Sequence, residues 1–184
     1  GFVRLRGGKG PLPVKLVEAK VDSDANGFDA RCVLDHGQDV RAELQFVSRA
    51  DGSFVLREKL TALRAITTSE IGTGLIGVLN NQAWVYEAGR RQVVLDGAAK
   101  EAQSCSGAVI EADARSVAID GVLRIDSPRP MHVCYESARK PDRGRATDTL
   151  LLNHVAGDRR WKAGQVISQF EATVRASATG QQKD

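Results

Sequence analysis

Residues 40–46 read VRAELQF and residues 54–60 read FVLREKL, and these two stretches decide the fold. Each alternates apolar and polar residues, which is typical of a β-strand with one buried face. Asp51-Gly52 lies between them and predicts a hairpin turn, because glycine adopts positive φ angles without steric cost. Residues 40–60 are therefore predicted to form an antiparallel hairpin. The side chains expected in its core are Leu44, Phe46, Phe54 and Leu56.

The rest of the chain repeats this kind of pattern. Short apolar or alternating stretches are separated, about every 8–12 residues, by turn signals rich in Gly, Asn, Asp and Pro, and helix signals are poor. Two of the expected turns are Ser127-Pro128 and Ala156-Gly157-Asp158. The pattern predicts an all-β fold, an antiparallel β-sandwich of about a dozen short strands. We expect a single sandwich domain over residues 1–175 and a disordered, small and polar tail over residues 176–184.

Length and charge exclude several classes of protein. The 184 residues contain no apolar run near the roughly 18–20 residues that cross a bilayer, so no membrane span is expected. The net charge is only +3, whereas nucleic-acid binders usually concentrate far more positive charge. Residues 72–77 read GTGLIG and match the GxGxxG pattern of nucleotide-binding loops. They lie within a strand-like run, however, where glycines more often mark bulges or close backbone approach, so no cofactor is expected.

The residue types that carry catalysis or bind metals are few and scattered. The three cysteines, Cys32, Cys105 and Cys134, form no CxxC motif or Cys/His cluster, so no metal site is expected. An Asn153-His154 pair, expected at a strand end, is one group that could assist proton abstraction. No nucleophile motif or paired-carboxylate spacing accompanies it, and the catalytic residues stay unassigned.

Two basic segments near the end of the chain are the most informative candidates for binding. Arg outnumbers Lys by 18 to 8, and the planar guanidinium grips carboxylate or sulfate groups bidentately. Arg143 and Arg145 lie in a loop marked by proline and glycine, whereas Arg159 and Arg160 precede Trp161. An indole face suits a sugar ring, so these five residues are predicted to bind an acidic polysaccharide. The alternative is that Trp161 packs onto the sandwich edge and the arginines are solvated.

Two stretches carry a family resemblance. Residues 71–87, IGTGLIGVLNNQAWVYE, and residues 146–155, ATDTLLLNHV, followed by RWKAGQ at 160–165, resemble the β-sandwich regions of bacterial polysaccharide lyases and heparinase II/III-like proteins. The resemblance covers roughly residues 40–170. In such families the catalytic Tyr, His and Arg lie largely on a helical toroid that precedes the sandwich and at its junction with it. This chain has no toroid sequence, and no catalytic residue is carried over.

Three functions follow as hypotheses. The first is a non-catalytic β-sandwich domain of a bacterial polysaccharide-processing protein that contacts an acidic glycan. The second is part of a lyase chain that acts by proton abstraction and β-elimination. The third is a structural or assembly domain of a bacterial envelope protein. A periplasmic or extracellular location is favoured. Because the chain begins with Gly1, we expect a further upstream domain or chain as a partner.

Overall fold

The computed structural model describes residues 3–7, 10–77, 93–95, 100–104, 107–119, 123–140 and 145–176. Within these ranges the chain forms strands and turns, with no helix, so none is present that could cross a membrane. The thirteen strands are β1 (Val3–Gly7), β2 (Gly10–Pro11), β3 (Val14–Asp24), β4 (Gly27–His36), β5 (Val40–Ser48), β6 (Phe54–Ala62), β7 (Ile66–Gly77), β8 (Val93–Leu95), β9 (Lys100–Ser104), β10 (Gly107–Ile119), β11 (Leu123–Lys140), β12 (Arg145–Trp161) and β13 (Val166–Ala176).

The predicted hairpin of residues 40–60 is confirmed. Strands β5 and β6 pair antiparallel from Val40 opposite Ala62 to Ser48 opposite Phe54. Gly52 has the positive φ of 78° that the turn requires, and the Asp51 carboxylate accepts hydrogen bonds from the backbone N–H and hydroxyl of Ser53. All four predicted core side chains face inward: two are fully buried, and two are partly buried against the core clusters. The four are Leu44, Leu56, Phe46 and Phe54.

All the strand pairs are antiparallel and form one continuous sheet that folds into a sandwich. Its order is β2-β1-β7-β12-β11-β13-β6-β5-β4-β3, and β10 adds to β11 and carries the short strands β8 and β9. One layer is β13-β6-β5-β4-β3, and the other contains β1, β7, β12 and part of β11. Side chains of β5, β6 and β13 share one core cluster with Ile71 of β7, and Val155 of β12 packs against it. The predicted all-β sandwich is therefore confirmed.

Strand β11 joins the two layers. Its residues 123–126 pair with β13, and its residues 133–140 pair with β12. Residues 127–130, which read SPRP, lie between these two ladders, opposite a register shift in β10. Proline has no N–H to donate to a ladder, so Pro128 and Pro130 favour a bulge at this position. The strand changes layers where its pairing is interrupted.

Two predicted turns are wrong. Ser127-Pro128 lies within β11, and Ala156-Gly157-Asp158 lies within β12, where the register with β7 shifts between Ala156 and Arg159. Both segments carry turn-forming residues, but here those residues form bulges that keep the strand continuous. As a result β11 and β12 contain 18 and 17 residues and are not short. Residues 177–184 of the predicted tail lie outside the described residues.

The burial of two leucines predicts that their replacement by alanine has very different effects on the stability of the protein. Leu44 is 3% exposed and Leu16, on the edge strand β3, is 57% exposed. Replacing Leu44 with alanine leaves a cavity and is expected to lower the free energy of unfolding by about 2–5 kcal/mol. Leu16→Ala is the matched control and is expected to change it little. Urea denaturation of both variants tests this prediction, and equal losses would contradict the assignment of Leu44 to the core.

Candidate functional site

The predicted basic residues lie at the two ends of one strand. Arg145 is the first residue of β12, and Arg159 and Arg160 are close to its last residue, Trp161. At about 3.3 Å per residue, roughly 50 Å of extended backbone separates the two ends. Arg143 lies outside the described residues. The structure thus brings Arg159, Arg160 and Trp161 together and does not bring Arg145 to them, and their binding role stays a prediction.

Trp161 is anchored to the body of the sandwich. Its Nε1 donates a hydrogen bond of 2.9 Å to Oγ1 of Thr68, which is fully buried on β7. The partly buried indole packs against the core cluster that contains Ile71. This matches the alternative in which the indole packs onto the sandwich edge. The anchoring still leaves part of the ring exposed.

Arg159 and Arg160 are solvated and point to different faces of the sheet. Arg159 pairs in register with Thr68 and Arg160 with Thr67, so Arg159 shares the face of Trp161 and Arg160 lies on the opposite face. Both arginines are exposed, and neither forms an ion pair within the described part of the chain. The end of β12 therefore presents two exposed arginines, one on each face, and the anchored indole lies on the face of Arg159.

A second polar region lies inside the sandwich, where β12 is bulged. Asn153 and His154 together face a single residue of β7, Gly72, because the register shifts between Leu152 and Val155. Asn153 has a φ of 50°, a left-handed conformation that asparagine tolerates better than most residues. A Cβ atom on Gly72 would lie 3.3 Å from the Cβ of Leu151, closer than most such contacts. The expectation that glycines in this run mark bulges or close backbone approach is confirmed by the bulge opposite Gly72.

The bulge aims the Asn153 side chain at a buried carboxyl group. Asn153 Nδ2 donates to Ser168 Oγ at 2.9 Å, and Ser168 Oγ donates to Glu58 Oε1 at 2.8 Å. Glu58 is 3% exposed, and its other oxygen, Oε2, has no hydrogen-bond partner. Burial raises the pKa of Glu58 to about 7, and the Ser168 hydrogen bond opposes that rise. The carboxyl group is therefore partly protonated near neutral pH.

Glu58 lines a cavity of about 960 Å³. Four of its lining residues are register neighbours across β4, β5, β6 and β13, and Met131 and Asn153 line it from the other layer. The four register neighbours are Cys32, Leu44, Glu58 and Phe170. The SPRP bulge of β11 also borders the cavity. The layer change of β11 and the bulge of β12 thus both lie beside the same space.

A third group of polar side chains surrounds His154. This histidine is buried, and its Nε2 lies 3.4 Å from Glu70 Oε1. Its ring stacks with that of His132, with centroids 6.1 Å apart, and His132 Nδ1 lies 2.9 Å from Asp113 Oδ1. The prediction that the Asn153-His154 pair lies at a strand end is wrong, because the pair occupies the middle of β12.

Other side chains of chemical interest in the described structure are the candidate metal ligands and the cysteines. Within the described ranges no group of three or more His, Cys, Asp or Glu side chains could hold a metal ion. Cys32 is a free thiol, and burial raises its pKa. Cys105 lies outside the described residues. A raised pKa keeps the thiol protonated and unreactive.

Sequence reasoning missed the Glu58 cavity, although one signal for it was present. In residues 54–62 the inward positions include Leu56, Glu58 and Leu60, so the alternation places a carboxyl group among core residues. Such a residue is almost never buried without a reason. The partners Asn153 and Ser168 are far away in sequence, and no local pattern connects them to it.

Comparisons with known proteins relate this fold to carbohydrate-processing enzymes. No family model matches the sequence, and no curated protein matches it either. Among solved structures, the galactosidase domain of the α-galactosidase-sucrose kinase AgaSK superposes with a TM-score of 0.53 and 11% identity, over 97% of this chain and 30% of that one. Heparinase III superposes with a TM-score of 0.50 and 12% identity, over 98% of this chain and 24% of that one.

These similarities establish the class of fold. At such low identity they show shared architecture, so this chain is a β-sandwich of the kind found within both enzymes. It spans less than a third of either protein. The sequence resemblance to heparinase II/III-like sandwich regions is confirmed at this level.

The buried carboxyl group predicts a distinctive dependence of stability on pH. The pKa of Glu58 is 4.5 in the unfolded chain and about 7 in the folded protein. Between these values the folded state keeps a proton that the unfolded state has lost, so the free energy of unfolding falls as pH rises. The loss attributable to Glu58 is on the order of 3 kcal/mol and is complete above the folded pKa.

Comparison with Glu58→Gln isolates this effect from other titrating groups. The free energy of unfolding of the parent, minus that of the variant, gives a difference that is expected to fall as the pH rises from 4.5 to about 8. His36, whose pKa burial lowers, is present in both proteins and cancels. Glu43→Gln, at an exposed site on β5, is the control and is expected to follow the parent. A difference that does not vary with pH would contradict the burial of Glu58.

Proposed function

We propose that this chain is a non-catalytic β-sandwich domain of a bacterial, exported polysaccharide-processing protein, and that it contacts an acidic glycan through the end of β12. The contact residues are Arg159 and Arg160, with the exposed part of Trp161 as an apolar surface. The observation that carries the proposal is the pair of exposed arginines without ion-pair partners in the described structure, fixed beside an anchored indole.

The chemistry of these side chains supports an acidic ligand. Guanidinium groups form charge-assisted hydrogen bonds to carboxylate and sulfate oxygens. The strand ladder with β7 and the Trp161–Thr68 hydrogen bond hold this end of β12 in place, so little order has to be gained on binding. Because Arg159 and Arg160 lie on opposite faces, we expect one glycan chain to pass around the end of the strand rather than lie flat on the sheet.

The architecture favours this proposal over an independent lyase. The fold is shared with portions of two carbohydrate-processing enzymes that are each more than three times as long as the shared part. The resemblance to heparinase II/III-like proteins implies that catalytic residues lie largely on a helical toroid, and the described residues form no helix. An accessory role beside a catalytic partner accounts for both observations.

Calorimetric titration with a panel of acidic polysaccharides that includes heparan sulfate tests the proposal. The parent chain is expected to bind, and Arg159→Ala combined with Arg160→Ala is expected to weaken binding while changing the unfolding temperature little, because exposed charges contribute little to folding. Binding is expected to weaken as salt rises, since exposed charges are screened beyond about 8–10 Å at physiological ionic strength.

The matched control removes two other exposed arginines. Arg49 and Arg175 lie near the start of β6, at the opposite end of the hairpin from Trp161, so Arg49→Ala with Arg175→Ala loses the same charge elsewhere. This control is expected to bind like the parent. Equal weakening in both double variants would indicate a general charge effect and contradict a site at the end of β12. Absence of binding to any acidic polysaccharide would favour a structural role in an envelope protein.

A further inference from the structure

The cavity beside Glu58 has no role in the arginine site and holds a polar atom without a partner. Glu58 lines the cavity, and its buried Oε2 has no hydrogen-bond partner, although Oε1 of the same group accepts a hydrogen bond from Ser168. Leaving a buried carboxyl oxygen unpaired is costly, and native structures seldom retain one without a function. A hydrogen-bonding group that enters from the cavity would supply the missing partner.

The walls of the cavity combine this polar atom with apolar surface. Phe170 is half-buried beside Glu58 in the register, Met131 faces it from the other layer, and Pro128 and Pro130 border the space. Aromatic and proline surfaces suit the C–H face of a sugar ring, while a carboxyl group suits its hydroxyls. A volume of about 960 Å³ is at the upper end of the roughly 300–1,000 Å³ that small-ligand pockets span.

Three of the four cations around the cavity are compensated within the protein. Arg57 pairs with Glu171 at 2.7 Å, Lys59 lies 3.9 Å from Glu43, and Arg31 pairs at 2.9 Å with Asp29, which lies outside the lining. The fourth, Arg129, is exposed on the SPRP bulge at the border of the cavity and forms no ion pair in the described structure. An anionic ligand would thus meet one exposed arginine at the border, three occupied cations and the Glu58 carboxyl group. A hydroxyl, by contrast, can donate to the ionised carboxylate or accept from the protonated acid, so it is suited to either state of Glu58.

We propose that this cavity is a second binding site, for an uncharged sugar unit, and that Glu58 Oε2 hydrogen-bonds one hydroxyl of that unit. Ser168 and Asn153 position the carboxyl group through the chain Asn153–Ser168–Glu58, and Phe170 contacts the sugar ring. The site is separate from the arginine pair at the end of β12. It stands or fails independently of the acidic-glycan proposal.

Titration with three neutral trisaccharides, cellotriose, maltotriose and raffinose, tests the proposal by calorimetry. At least one is expected to bind the parent chain. Glu58→Leu removes the hydrogen bond while filling the site with an apolar side chain, and is expected to weaken that binding roughly tenfold or more. Glu18→Leu, at an exposed carboxylate on β3, is the control and is expected to bind like the parent.

Three results would overturn the proposal. They are no binding of any neutral trisaccharide at millimolar concentration, equal binding by Glu58→Leu and the parent, and binding of a neutral sugar that is lost in the Arg159/Arg160 double variant instead. Backbone amide shifts of the parent chain provide a test that does not depend on the folding of a variant. If the amide signals that shift when the sugar is added are centred on Leu44, Glu58 and Phe170, they support binding in the cavity. Shifts confined to other regions contradict it.

Discussion

One strand has to serve both layers of the sandwich, and this constraint organises the rest of the molecule. β11 pairs with β13 through its first residues and with β12 through its last ones, and the prolines of residues 127–130 interrupt the ladder between them. The two pairings place β13, β6 and β5 in one layer and β12 and β7 in the other, and side chains of β5, β6 and β7 share one core cluster. The layer change also leaves the SPRP bulge at the border of the Glu58 cavity.

The closed sandwich places polar groups where apolar ones would be more stable. Glu58 occupies an inward position between Leu56 and Leu60, and burial raises its pKa. The β12 bulge lies opposite Gly72 and brings Asn153 close enough to hold Ser168 and so one of the two carboxyl oxygens. Only part of the desolvation is offset by these hydrogen bonds. Incomplete pairing of this kind is typical of binding sites, where a ligand supplies the remainder.

The fold was largely predictable from the sequence, and the site was predictable only in part. Alternation on both sides of Asp51-Gly52 predicted β5, β6 and their buried face, because side chains in a strand alternate with a period of two. The turns predicted at Ser127-Pro128 and Ala156-Gly157-Asp158 are wrong, because the same residues form bulges when a partner strand continues past them. The Asn153–Ser168–Glu58 chain depends on the contact between Ser168 and Glu58, which are 110 residues apart, and no local pattern encodes that contact.

The two proposed binding sites are an exposed, charged strand end and a cavity between the layers, and the second depends on Glu58 being buried with one unpaired oxygen. Carbon-detected NMR titration of the Glu58 carboxyl group in the parent chain measures this most directly. Because the group is buried, its pKa is expected to be about 7. A pKa near the ordinary value of 4.5 would mean that water reaches the carboxylate freely, and would contradict the burial of Glu58 between the two layers.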